Sequence, residues 1–264
     1  MSKILLTGAA GGLGKELRKR LNNFRDTIRL SDISDLGQAQ ANEEIVYCDL
    51  SDFDSVLALL DGVDEIIHLG GVSIEDTFAN ILSANLIGTY NIYEAARQKG
   101  ITRILFASTN HTIGFHDRET LLDASSELRP DSIYGVSKGY GELMARYYYD
   151  KFNIESACVR IGSSFEKPLD RRMMDTWLSF EDLTSLVKRI FEVDRLGYAI
   201  IYGVSNNRCV WWDNKKVSYL GWHPKDSSEI FADEPYIRDE VVDPNEARTQ
   251  YQGGRFAAAG HFED

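Results

Sequence analysis

The chain has few cysteines, no concentrated positive charge and no long apolar run, and each shortage removes a class of function. Cys48, Cys158 and Cys209 are the only cysteines in 264 residues. They are far apart, odd in number and without CxxC spacing, so neither a disulfide framework nor a cysteine zinc site is indicated; reduced, mostly buried thiols are expected. The formal net charge is -12 and no lysine or arginine cluster interrupts it. Such a field repels nucleic acid and anionic lipid, so neither a nucleic-acid nor a membrane partner is expected. No window approaches about 18 apolar residues, the length a membrane span requires. Met1 leads straight into Ile4-Leu5-Leu6 without a basic segment before a long apolar one, which makes the cytoplasm the expected location. Internal repeats and low-complexity linkers are lacking as well.

What is present suits a packed core under a polar surface, with 43% hydrophobic and 27% charged residues. Short apolar runs bounded by turn residues alternate with stretches of helical periodicity, the pattern of a parallel sheet covered by helices. Strands are expected at Lys3 to Thr7, Thr27 to Ser31, Glu44 to Tyr47, Glu65 to His68, Arg103 to Ala107, Glu155 to Arg160 and Tyr198 to Tyr202. Helices are expected at Leu13 to Asn22, Phe53 to Leu60 with Asp52 as its cap, Phe78 to Gln98, Ile133 to Phe152, and Phe180 to Val193. The fold class is therefore α/β, a Rossmann-type doubly wound parallel sheet with helices on both faces. One domain is expected over 1–264, with a small substrate-covering region mainly within 161–264, where the alternation loosens. The tail from Asp226 onward carries no functional signal of its own.

Thr7-Gly8-Ala9-Ala10-Gly11-Gly12-Leu13-Gly14 follows the first strand and opens the first helix, the context of a phosphate-binding turn. Gly8 permits the tight turn, Gly11 lets the backbone approach a pyrophosphate and Gly14 lets the helix pack closely on the sheet. The helix N-terminus then faces the anion. Asp32 stands 18 positions after Gly14, where a carboxylate accepts from the ribose hydroxyls of an adenosine. It would repel a 2′-phosphate, so the expected cofactor is NAD rather than NADP. Strand alternation keeps the Arg29 side chain from replacing it. Asp49 and Leu50 are placed to contact the adenine, and Leu69-Gly70-Gly71 gives the backbone close access to the cofactor. Gly12, Leu13, Ile33 and Ser34 beside these positions, with Ser108 and Ile161 at the ends of later strands, complete the expected cofactor contacts.

Tyr134-Gly135-Val136-Ser137-Lys138 places a phenol and an ammonium on one face of a helix. A nearby ammonium favours phenolate and lowers the tyrosine pKa toward that of a useful general base. Before it, Ala107-Ser108-Thr109-Asn110-His111 lies at the C-terminal end of a strand, where open α/β sheets bind ligands. A hydroxyl there can hold a substrate oxygen. Asn85, inside the long helix, is expected to link the lysine to solvent through an ordered water.

In this order, glycine turn, acidic residue, Asp49-Leu50, central asparagine, hydroxyl residue and YxxxK, the chain resembles the extended short-chain dehydrogenase/reductases over most of its length. The resemblance makes Thr109, five before Gly114, the catalytic hydroxyl in a position where serine is usual. Finer features resemble the uronate dehydrogenases of that superfamily: His68-Leu69-Gly70-Gly71-Val72-Ser73, Asn110-His111-Thr112-Ile113-Gly114, Arg160-Ile161-Gly162-Ser163, Trp211-Trp212-Asp213-Asn214 and Leu220-Gly221-Trp222. The chain departs from them also in the Glu166 to Arg171 loop.

That resemblance implies oxidation of the anomeric hydroxyl of a hexuronic acid, galacturonate or glucuronate, to an aldarolactone. Tyr134 would take the proton while the hydride goes to NAD, Thr109 would hold the same oxygen, and Lys138 would support the phenolate and anchor the nicotinamide ribose. Arg172, in the loop after Arg160-Ile161-Gly162-Ser163, would pair with the substrate carboxylate. Ser163 would assist, and Ser73, Asn110 and His111 would hold sugar hydroxyls. No metal is expected. Trp211 and Trp212 are read as core or subunit packing rather than sugar stacking. A homo-oligomer is expected through the helices starting at Phe78 and Ile133. The competing expectations are a nucleotide-sugar epimerase or dehydratase, disfavoured by the short region after Arg160, and a non-enzymatic NAD-binding protein, disfavoured by the full set of proton-transfer residues.

Overall fold

The computed structural model describes residues 2–263. The main strands are β1 (Lys3–Thr7), β2 (Thr27–Asp32), β3 (Glu43–Tyr47), β4 (Glu65–His68) and β5 (Arg103–Thr109), followed after a two-residue β6 (Leu122–Asp123) by β7 (Glu155–Ile161) and β8 (Tyr198–Gly203). They form a seven-stranded sheet in the order β3-β2-β1-β4-β5-β7-β8, with every neighbouring pair parallel. The two-residue β9 (Trp212–Asp213) pairs with β6 in a small parallel ribbon that the sequence pattern did not signal.

The strands are continuously apolar because both faces are covered. Successive residues serve opposite sides: Ile4 and Leu6 join a core with Leu17, Leu183 and Leu186, whereas Leu5 joins one with Val56, Ile92 and Tyr148. The first core lies under α1 (Gly12–Arg20) and a later amphipathic helix (Phe180–Glu192). The second lies under α2 (Phe53–Leu59), the long helical stretch beginning at Phe78, and a helix over Ile133–Phe152. Asp52 caps α2 as expected, accepting from the amides of Asp54 and Ser55.

The long stretch is not one regular helix. It runs as α3 (Phe78–Ile81), a π-helical segment (Leu82–Ile87) and α4 (Gly88–Lys99), closed by Gly100 in the left-handed region. The wide turn of the π segment holds Asn85. After α5 (Ile133–Phe152) come α6 (Arg171–Thr176) and α7 (Phe180–Glu192), so Arg172 sits on a short helix rather than in the expected loop. Asp170 caps that helix through the amide of Met173.

Strand order reverses between β1 and β4, which opens a crevice at their C-terminal ends. A buried ion pair fixes α5 over the sheet beside this crevice. Glu142 of α5 receives both Nε (2.9 Å) and Nη2 (2.8 Å) of Arg160 on β7, and the Ser108 hydroxyl at 2.6 Å.

Candidate active site

The crevice begins at the glycine turn. Gly8 has φ +69, and a Cβ there would stand 2.8 Å from the amide nitrogen of Gly70, so two chain segments meet where only glycine fits. A Cβ on Gly14 would collide with the carbonyl of Gly8. Thr7 joins the two sides, because its hydroxyl accepts from the amide of Gly70 (3.0 Å) and lies 2.8 Å from Nδ1 of His68. Asp32, at the end of β2, accepts from the amides of Ala10 (3.0 Å) and Ser34 (3.0 Å). Arg29 turns away to Glu44 and to the carbonyls of Leu59 and Asp61, as strand alternation demands. Leu50 packs against Gly70, while Asp49 and Ile33 stand exposed at the rim. Gly12 and Leu13 open α1 toward the same space, and a Cβ on Gly12 would meet nothing. A cradle closed by Cβ-intolerant glycines, a helix N-terminus and a carboxylate one strand away fits a dinucleotide with free ribose hydroxyls.

Tyr134 and Lys138 project from the first turns of α5, which is fixed at three points. The Ser132 side chain caps it through the amide of Gly135 (2.9 Å). Glu75, in the loop after β4, accepts from the amides of Ile133 (3.0 Å) and Tyr134 (2.7 Å). A carboxylate at a helix start is favourable both as an acceptor and against the helix dipole. Asn85 makes the third tie, donating to the Ser137 hydroxyl (2.9 Å) and the Val72 carbonyl (3.0 Å) and accepting from the Val72 amide (2.7 Å). A Cβ on Gly71, φ +125, would come within 2.6 Å of that side chain. Glu75 carried no signal in the sequence, since its partners are backbone amides nearly sixty residues on.

Burial dominates the titration of the pair. The Tyr134 phenol is pushed up to about 12 by burial and by the charge of Asp131, with a hydrogen bond from Thr109 pulling it back. Burial pushes the Lys138 ammonium down to about 8. The expected lowering of the phenol by the lysine is therefore corrected: Nζ stands 5.9 Å from the phenol ring centroid, and loss of water outweighs its field. The ammonium also lies over the Phe106 ring, 5.1 Å from its centroid.

Thr109 ends β5 beside this pair, and its hydroxyl accepts from the amide of His111 (3.2 Å). His111 faces Tyr134 with ring centroids 6.1 Å apart. Behind them lies Arg172, half-buried by its surface exposure, its guanidinium pushed down to about 10 by loss of water despite the nearby charges of Asp170, Asp131 and Asp175. Asn110, with its amide turned to satisfy both groups, donates to the carbonyl of Ile161 (3.1 Å) and accepts from Arg172 Nη2 (2.8 Å). Arg172 also donates Nε (2.7 Å) and Nη2 to the carbonyl of Gln252. Trp211, buried, lies under its guanidinium at 6.0 Å from the ring centroid. Trp212 stacks on Tyr202 in the third core cluster, so the tryptophan pair is core, as expected.

Three sequence expectations change. Asn85 has its amide engaged by Val72 and Ser137, so the side chain expected to reach a water is tied to α5 instead. Ser108 turns its hydroxyl to Glu142, away from the cofactor crevice, because neighbouring strand residues alternate faces. The tail, thought uninformative, returns to the site: Gln252 is fully buried, and its side chain accepts from the Trp212 indole (2.8 Å) and donates to the carbonyls of Thr120 and Asp117. It delivers α10 (Arg255–Ala258), the last of three short helices after α8 (Pro235–Arg238) and α9 (Ala247–Gln250), so that Phe256 covers His111. Ser163 is buried with its hydroxyl 2.9 Å from that of Thr176, and Ser73 lies exposed in the loop before α3. Cys48 and Cys158 are buried and Cys209 is exposed. Among the described residues no helix is long and apolar enough to cross a membrane.

A glycine cradle at the switch point facing a buried hydroxyl, phenol and ammonium is the arrangement of a short-chain dehydrogenase/reductase. A profile of the NAD dependent epimerase/dehydratase family matches residues 4–176. The chain is 50% identical over 264 residues to a uronate dehydrogenase of Pseudomonas syringae pv. tomato, covering 100% of this chain and 96% of that one. Among solved structures it is similar to a glucuronic acid dehydrogenase from Chromohalobacter salexigens, with a TM-score of 0.97 and 52% identity over 100% and 99% of the two chains. It is also similar to a uronate dehydrogenase mutant from Agrobacterium tumefaciens complexed with NAD, with a TM-score of 0.95 and 46% identity over 99% of each. The chain belongs to the NAD dependent epimerase/dehydratase family and, within it, to the uronate dehydrogenases.

Proposed function

We propose that this chain catalyses NAD-dependent oxidation of the C1 hydroxyl of a hexuronic acid, glucuronate or galacturonate, to an aldarolactone. The observation that carries the reading is a half-buried arginine, Arg172, hydrogen-bonded to Asn110, the neighbour in sequence of the Thr109 that meets the Tyr134 phenol. An acidic protein of net charge -12 has to provide a local cation for an anionic sugar, and Arg172 is that cation.

Bound NAD supplies the acceptor for the C1 hydride. Gly8, Gly11, Gly14, Leu50 and Gly70 form its cradle, and Asp32 selects free ribose hydroxyls. Tyr134 takes the proton of the C1 hydroxyl at its phenol oxygen as the C1 carbonyl forms. Thr109, whose one hydroxyl proton goes to the phenol in the free enzyme, turns it to the same substrate oxygen in the complex. Lys138 keeps positive charge beneath the phenol and holds the ribose of the cofactor. Arg172 pairs with the substrate carboxylate, with Ser163 beside it, while Ser73, Asn110 and His111 bind ring hydroxyls. Glu75, Ser132 and Asn85 act through α5, setting the position of Tyr134.

Residues 1–264 work as one domain, with the covering elements in 161–264. The cytoplasm is the proposed location. Exposed Phe78, Leu82, Ile87 and Tyr90 on α3 to α4, and Val136, Leu143 and Tyr147 on α5, support a homo-oligomer built on these helices, testable by sedimentation.

Incubation with NAD and free glucuronate tests the reading. NADH should accumulate in step with an aldarolactone. An epimerase or dehydratase would instead convert a nucleotide sugar with no net NADH, and that result would overturn the proposal.

A further inference from the structure

Asp131 belongs to no expected set of site residues, yet its carboxylate is enclosed beside His111. Its side chain has no exposed surface. It is housed by two glycines far apart in the chain, Gly114 after β5 and Gly253 in the tail, which pair through the Gly253 amide and the Gly114 carbonyl (2.8 Å). A Cβ on either glycine would collide with Oδ2 of Asp131. The carboxylate therefore occupies space that any other residue at 114 or 253 would fill.

Inside this housing each oxygen has a defined partner. Oδ2 stands 2.8 Å from Nδ1 of His111, and Oδ1 accepts from the Ser132 hydroxyl at 3.0 Å. The backbone repeats the tie, since the Asp131 amide donates to the His111 carbonyl (3.2 Å). His111 is held on its other sides by the stacked ring of Phe256 and by the hydroxyl of Thr109, which accepts from its amide. A carboxylate only accepts hydrogen bonds, so the proton of the imidazole is placed on Nδ1. In the neutral imidazole Nε2 is then left with its lone pair, an acceptor for a hydroxyl.

We propose that Asp131 is a positioning residue for substrate recognition: it fixes the tautomer and the ring plane of His111, so that Nε2 accepts from a ring hydroxyl of the sugar. The same carboxylate, through Ser132, ties this acceptor to the cap of α5 and hence to Tyr134. Gly114 and Gly253 are part of the device, because they make room for the carboxylate. The inference rests on the proposed sugar-oxidising function and adds to it a residue that never touches the substrate.

The test is a double-mutant cycle with glucuronate. Asp131→Asn keeps the shape between the two glycines but no longer forces the proton onto Nδ1. It should raise the KM for glucuronate on the order of tenfold, with kcat changed less than KM and with NAD affinity, read by NADH fluorescence titration, unchanged. In a His111→Gln background the same substitution should change KM by less than about twofold, because the group it acts through is gone. Ser132→Ala separates the helix cap: it should lower kcat and leave the KM effect of Asp131→Asn in place. The inference is overturned if Asp131→Asn leaves KM unaltered, or raises it equally with and without His111. It is also overturned if NAD affinity falls in parallel, which would mark a merely structural role. A wild-type enzyme that forms no NADH with any uronate would instead sink the functional reading.

Discussion

Phe256 lays its ring on the imidazole of His111, with centroids 3.8 Å and planes 27° apart. A residue of the tail thus joins side chains from the end of β5 and from α5, next to Arg172 of α6. The contact is possible because Gly254, at φ +64, turns the chain against Arg172, where a Cβ would come within 2.5 Å of Cδ.

Phe256→Ala should therefore act on the substrate and not on the cofactor. Loss of one aromatic stack, worth roughly 0.5–1.5 kcal/mol, predicts a rise of about 2- to 10-fold in the KM for glucuronate. Steady-state kinetics at saturating NAD measures it, and an equal rise in the KM for NAD would contradict the placement of the tail.

Tyr134→Phe removes the proton acceptor and keeps the ring. Turnover should fall by about 10²–10⁴-fold while NAD binding persists. Stopped-flow measurement of the hydride step checks this, and near-normal turnover would reject the assignment.

Thr109→Ala should change the pH profile as well as the rate. The phenol is pushed up to about 12 by burial, and Thr109 is the neighbour that lowers it. Oxidation needs the unprotonated phenol, so the rate should climb with pH above neutrality. Removing the hydrogen bond raises the pKa further, so the rising limb should move to higher pH. Initial rates taken from about pH 6 to about pH 10 decide the sign, and a limb displaced to lower pH would contradict it.

The elements that place the cofactor were legible because they are local. Strand ends and the glycine turn are written in runs of apolar residues and in backbone needs that only glycine meets. Each strand of the main sheet lay where the pattern put it, with β2, β5, β7 and β8 extending one or two residues further into the site. Asp32 was readable from its distance along the chain to Gly14. The substrate side was less so, because its contacts are long-range and polar. Glu75 meets amides of α5, Asp131 meets glycines of two distant segments, and Arg172 meets the carbonyl of Gln252 eighty residues later. Asn85 and Ser108 were read as site residues, but the partners of their side chains depend on the π turn and on strand alternation, which decide direction rather than position.

The central claim, that Arg172 selects an anionic sugar for C1 oxidation, is tested most directly by kcat/KM for glucuronate against glucose in the wild type and in Arg172→Ala. The account predicts strong preference for glucuronate in the wild type. It also predicts a loss on the order of 10- to 100-fold for glucuronate alone in the variant, the size expected for a charged hydrogen-bonded contact. Equal use of glucose and glucuronate by the wild type, or an unchanged preference in the variant, would contradict it.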